Sequence, residues 1–198
     1  MIDFSPVRRK ERTLQDLAEG LSRDDLARLA GEMCDHFQAL IADATDPDTT
    51  FVPDDPAAKD PYAARPEDVD LPWTLGHVIV HWTASSEEAA AHALSLARGV
   101  PVHERSRHEV PWPEANTAEL LRRRIEESRR MQLGMLAAWP DRPHLDVTYT
   151  AREGARPLNA VARFLGGLSH ADAHREQVTK VLAQARAARN GARAATTT

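Results

Sequence analysis

Apolar side chains recur at steps of three and four through four long segments of this chain, the spacing of an amphipathic helix. Leu26, Leu29, Met33, Phe37, Leu40 and Ile41 mark the first. Ser22 precedes it, with Asp25 three residues on, a capping box with Asp in place of Glu. The second opens at Leu71-Pro72-Trp73-Thr74 and runs to about Arg98, before Gly99. It carries two stripes, one through Leu75, Val78, Ile79 and Trp82, the other through Trp73, His77, Val80, Ala84 and Ala91. A helix apolar on two sides is packed by neighbours on two sides. The third, capped at Asn116 with Glu119 following, places Leu121, Ile125, Ser128, Gln132, Met135, Leu136 and Trp139 inward and ends at Pro140. The fourth starts near Pro157 and continues to about Arg189, with His170, His174, Val178, Val181, Leu182 and Ala185 on one side. Val, Ile and aromatic residues are too sparse for a sheet protein. The expected fold is all-α, a four-helix bundle in one domain over residues 1–189, with its core from about residue 20. A short amphipathic stretch from Ser5 should end at Gly20, and residues 190–198 are expected to form a disordered tail.

The connections are as informative as the helices. Residues 45–71 are rich in Asp and Pro, with Asp46-Pro47-Asp48, Pro53-Asp54-Asp55-Pro56 and Asp60-Pro61-Tyr62. A connection this long inside a compact domain is either a functional loop or crossover between helices that are not neighbours, or a solvated linker. The 99–113 segment, with Pro101, Pro111 and Pro113, is also loop-like. A formal net charge of −5 over 198 residues disfavours a nucleic-acid binder that works by neutralising phosphates. No apolar run suffices to span a bilayer, and no apolar region follows Arg8, Arg9 and Lys10 as in a signal peptide. A single cysteine, Cys34, precludes an internal disulfide and a multi-cysteine metal site. These features fit a cytoplasmic protein with no membrane partner.

The chain has nine histidines. His170 and His174 are four apart, so they share one helix face and can bind one metal ion. Their stripe continues into Val178, Val181 and Leu182, which directs the pair towards the core, where buried imidazole nitrogens need partners. Asp172 lies on the opposite side of that helix, a poor place for a general base. His170-Ala171-Asp172-Ala173-His174 also lacks the Glu that follows the first His of a zincin motif. A third ligand would come from another helix. His77 and His81 are the candidates, about 40° apart around the second helix, and spacing does not choose between them.

Trp73-Thr74-Leu75-Gly76-His77-Val78-Ile79 resembles the start of the second helix in the DinB/YfiT-like superfamily of metal-binding bundles. His170-Ala171-Asp172-Ala173-His174-Arg175-Glu176-Gln177 resembles that family's last-helix motif. The order, spacing and helix layout agree over roughly residues 20–189. The resemblance implies an up-down-down-up bundle with a long crossover connection. It also implies a divalent metal, zinc or nickel, held by His77, His170 and His174. His81 is a reserve ligand, and Arg175 and Gln177 are candidates for a place beside the metal or its substrate. The resemblance further implies chemistry on small molecules, a transferase, isomerase or hydrolase reaction that uses a low-molecular-weight thiol, and in many members a homodimer. The family's acidic residue after the first His of the last motif is Ala171 here.

Three imidazoles leave a coordination position open for water or a thiolate. With one cysteine on the stripe of its own helix, any reactive thiol must arrive with a substrate or cosubstrate. A non-catalytic metal- or ligand-binding bundle is the alternative. His103, His108 and Glu109 precede Trp112 and suit a solvated loop.

Overall fold

The computed structural model describes residues 1–60, 63, 65–103 and 111–196, the side chains of 192–196 excepted. The expectations that touch Pro61, Tyr62, His108 and Glu109 lie outside the described residues. Among the described residues seven α-helices follow one another: α1 (Ser5–Arg8), α2 (Leu14–Ala18), α3 (Arg23–Leu40), α4 (Asp46–Thr50), α5 (Leu75–Ala97), α6 (Ala118–Ala137) and α7 (Ala160–Thr196). The described residues contain no strand, only an isolated bridge between Tyr149 and Leu158. The protein is mostly helical, as the apolar periodicity predicts.

Local chemistry sets the helix starts. At α3, Asp25 N donates to Ser22 Oγ at 3.1 Å and Ser22 N to Asp25 Oδ2 at 3.1 Å. That reciprocal pair satisfies two amides which a bare helix end would leave without acceptors. Thr74 caps α5 by accepting from His77 N at 3.2 Å. The cap of α6 is Thr117, one residue after the expected Asn116, and it accepts from Leu120 N at 3.2 Å. Asn159 Oδ1 accepts from Ala162 N at 2.9 Å, so α7 begins slightly after Pro157.

Two boundaries differ from expectation. The stretch before Gly20 is two short helices rather than one, because Lys10 adopts φ 61° between them. The left-handed region ends a helix wherever it is entered. At the other end, α7 passes Arg189 and reaches Thr196, within the segment expected to be a disordered tail. Alanine is the strongest helix former, and the alanines between 183 and 195 outweigh the single Gly191. Arg186 and Arg189 also tie this part of α7 down, through ion pairs to Asp43 and Asp48.

The four long helices form a ring in which α3 packs on α6, α6 on α5, α5 on α7, and α7 back on α3. Side-chain bonds give the directions. Gln38 Nε2 donates to Arg122 O at 2.9 Å, and Arg23 Nη1 to Trp139 O at 3.4 Å, so α3 and α6 run antiparallel. His81 meets His170, Ser86 meets Gly167 and His92 meets Arg163, so α5 and α7 are antiparallel too. His36 contacts Arg175 and Asp43 contacts Arg186, which makes α3 and α7 parallel. Gly76 abuts Ala115 near the start of α6, while Ala97 O accepts from His144 N beyond its end, so α5 and α6 are parallel. The 98–117 segment joins the parallel neighbours α5 and α6, which needs a long connection, and the 41–74 segment crosses between α3 and α5, which are not neighbours in the ring.

Inside the ring, Phe37 stacks on Trp82 at 4.3 Å between centroids, within a core that also contains Leu26, Met33, Leu75, Ile79, Leu121, Ile125 and Leu165. The α5–α7 seam is close at Gly167, where an added Cβ would lie 2.6 Å from Ala89 Cβ. The crossover between α3 and α5 is pinned at several points. Asp46 Oδ1 accepts from Ala118 N at 2.9 Å. The buried Asp48 carboxylate accepts from Thr45 and Arg189. Gln184 on α7 bonds both backbone groups of Asp54, at 2.8 and 3.1 Å. Among the described residues, no helix is long and apolar enough to cross a membrane.

Candidate metal centre

The α5–α7 seam brings three imidazoles together. His170 Nε2 lies 2.9 Å from His81 Nε2 and 3.3 Å from His174 Nε2. One ligand nitrogen from each of the three falls within 4.8 Å of the others. All three side chains are half-buried. Nitrogens around a tetrahedral ion at about 2.0–2.1 Å are separated by about 3.3 Å, so this donor set suits a divalent transition metal. Imidazole nitrogens suit divalent transition metals better than calcium or magnesium, which prefer oxygen.

Gln177 orients one ligand. Its Oε1 accepts from His174 Nδ1 at 2.8 Å. The neutral ring then carries its lone pair on Nε2, the nitrogen that faces His170. Burial holds the His174 pKa below the ordinary imidazole value; the neighbouring His81 acts in the same direction, and the Gln177 bond opposes them. A ligand kept neutral is a ligand ready for a cation.

His77, the α5 ligand implied by the family resemblance, is not one of the three. Its ring is sandwiched between Trp73, at 4.3 Å between centroids, and Trp112, at 4.7 Å and 3° from parallel. One turn further along α5, His81 takes the place facing His170. The physical reason is helical phase: the α5–α7 contact runs through 81, 86 and 92, and His77 faces the segment that leads into α6. The signal for this was present in the sequence as His81, but the choice depends on the Trp112 stack, which no spacing rule reveals.

Arg175 also lies away from the cluster. Its Nη1 donates to Asp172 Oδ1 at 2.8 Å and its Nε to His36 Nε2 at 2.9 Å, on the side of α7 that faces α3. Arg8 of α1 reaches the same carboxylate. Burial, then the Arg175 charge, lowers the His36 pKa, so this ring is a neutral acceptor. Nothing in the residue pattern announces a contact between Arg8 and Asp172. Ala171 is fully enclosed in the core, where the family's acidic residue would meet apolar neighbours. Cys34 is buried as well, and desolvation pushes its thiol up to about 12.

Trp73 joins the cluster to the surface. Its ring contacts His81 at 4.6 Å and His174 at 5.8 Å between centroids. Trp73 and Gln177 also line a cavity of about 300 Å³ between the crossover and α7, closed by Pro53, Asp54, Asp55 and Lys180. Comparison with models of protein families, with curated proteins and with solved structures finds no match for this chain.

Proposed function

We propose that this protein is a divalent-metal-dependent enzyme acting on small molecules, built as an up-down-down-up four-helix bundle of the DinB/YfiT-like kind. The observation that carries the reading is the convergence of His81, His170 and His174 from two helices, with Gln177 setting the tautomer of one of them. Zinc or nickel is the proposed metal. A cation held by three imidazoles supplies Lewis acidity at an open position, where it favours the ionised form of a water or a thiol. The chain's own residues do the rest. Gln177 holds a proton on His174 Nδ1, Trp73 shields the imidazoles from bulk water, and the cavity beside Trp73 and Gln177 receives the substrate. With Cys34 buried and its thiol protonated, a small thiol cosubstrate fits a transferase or isomerase reaction better than a protein nucleophile does.

A non-catalytic metal-binding role is the second reading. It is favoured by Asp172, a carboxylate of the last-helix motif that is turned away from the cluster and held by two arginines.

Elemental analysis of protein prepared without a histidine tag tests the site. About one transition metal per chain is expected. His81→Ala and His170→Ala should lose it, and His77→Phe, which preserves the aromatic stack, should keep it. Folded, metal-free parent protein, or full metal content in His170→Ala, would sink the proposal. Turnover of a thiol with an electrophile by the metal-loaded protein would separate the enzyme from the binder.

A further inference from the structure

The face of α7 turned away from the histidines carries a second concentration of charge. A cavity of about 440 Å³ lies there, lined by Arg8, His36, Leu40, Asp172, Arg175 and Thr179. Two guanidinium groups share one carboxylate, because Arg8 Nη1 and Arg175 Nη1 both bond Asp172. Glu176 also borders the space, but it is paired with Lys180 at 2.7 Å. The arrangement therefore holds one positive charge in excess. Neither arginine is used up: Arg8 spends Nη1 on Asp172 and Nη2 on a long 3.4 Å bond to Ser5, and Arg175 spends Nε and Nη1, leaving its Nη2 uncommitted. Asp172 and His36 hold these donors in place, so little side-chain freedom remains to be lost when a ligand arrives.

We infer that this cavity is an anion-binding site, distinct from the histidine cluster, that takes a carboxylate or phosphate group between Arg8 and Arg175. The remaining guanidinium donors, Arg175 Nη2 and the weakly engaged Arg8 Nη2, offer charge-assisted hydrogen bonds to the oxygens of either anion. The site joins α1 to α3 and α7, so an occupant would bridge the amino-terminal segment to the turn that bears His174. The inference does not depend on metal binding.

Calorimetric titration of the full chain with inorganic phosphate, and separately with acetate, at constant ionic strength tests it. Saturable binding of either anion is expected. Both anions binding would indicate a general oxyanion site, and phosphate alone a phosphoryl site. Arg8→Gln and Arg175→Lys should each weaken binding by about tenfold or more, the loss of a charge-assisted bond. Arg123→Gln on α6 should leave it unchanged. Arg8 is 47% exposed, so its replacement is compatible with folding and decides the matter even if Arg175→Lys fails to fold. A chelator should not alter binding, because the histidines take no part. The inference is overturned if neither anion saturates the parent, if Arg8→Gln binds as the parent does, or if binding vanishes with the chelator, which would place the anion on a metal.

Discussion

Replacing Gly167 with Ala measures how closely α5 and α7 approach beside the histidines. The new Cβ would fall 2.6 Å from Ala89 Cβ and 3.2 Å from Ser86 Cα. Carbon atoms in contact sit about 3.5–4.0 Å apart, so the helices must part by about 1 Å at this level. Two effects oppose each other. Alanine is the better helix former by about 1 kcal/mol. Overpacking a tight seam costs about 1–3 kcal/mol. The expected net is a loss of up to about 2 kcal/mol, or a Tm lower by up to about 8 °C for a chain of this size. His170 sits less than one turn from the substitution and faces His81 across the same seam, so metal affinity should fall together with stability. Ala89→Gly removes the atom that is struck. The double variant should therefore recover much of the loss, and the two substitutions should couple strongly in a double-mutant cycle. Urea unfolding of the four proteins, with metal affinity measured on each, provides the data. If Gly167→Ala is more stable than the parent by the full helix-forming gain of about 1 kcal/mol, no overpacking cost is present and the close approach is wrong. If Ala89→Gly brings no relief, the strain lies elsewhere.

Gln177→Leu should lower metal affinity about 10–100-fold with little change in unfolding midpoint, since it removes the acceptor that orients His174; a chelator competition reads this, and unchanged affinity would deny Gln177 its orienting role. The depressed His174 pKa fixes a sign for pH dependence. The ring is neutral in the fold above its unfolded value, and the stability this brings is lost as pH falls through the lower folded value. Metal should stay bound until the pH is below about 6.5, and release at or above that value in equilibrium dialysis would contradict the assignment. Cys34, with its thiol pushed up to about 12, should resist a disulfide reagent in native buffer and react at once in denaturant; rapid native labelling would mean that its helix opens.

The helical architecture was readable because its signals are local. The Ser22–Asp25 box and the three-four stripe of α3 depend on neighbours within a few residues, and α3 begins and ends close to where they place it. The His170–His174 pair is readable for the same reason. What was not readable depended on contacts between distant parts of the chain. His77 and His81 differ by about 40° on one helix, and only the stacking of His77 on Trp112 and the facing of His81 by His170 separates them. The extent of α7 was hidden in a similar way. Asn190-Gly191 reads as a stop, yet a run of alanines and the docking of Arg186 and Arg189 carry the helix past it. Arg8 shows the limit most plainly, for its partner Asp172 is 164 residues away.

The division of the site between elements has a consequence for how the protein can change. All three imidazoles stand on α5 and α7, the pair joined at the Gly167 seam. The outer wall of the neighbouring cavity comes instead from Pro53, Asp54 and Asp55 in the crossover, attached to α7 through the Gln184 clamp. Substitutions in the crossover can therefore reshape what the cavity admits while the imidazoles keep their positions. The crossover wall can drift in this way on its own, whereas the α7 wall of the cavity, which includes Gln177, cannot change without reaching the His174 ring.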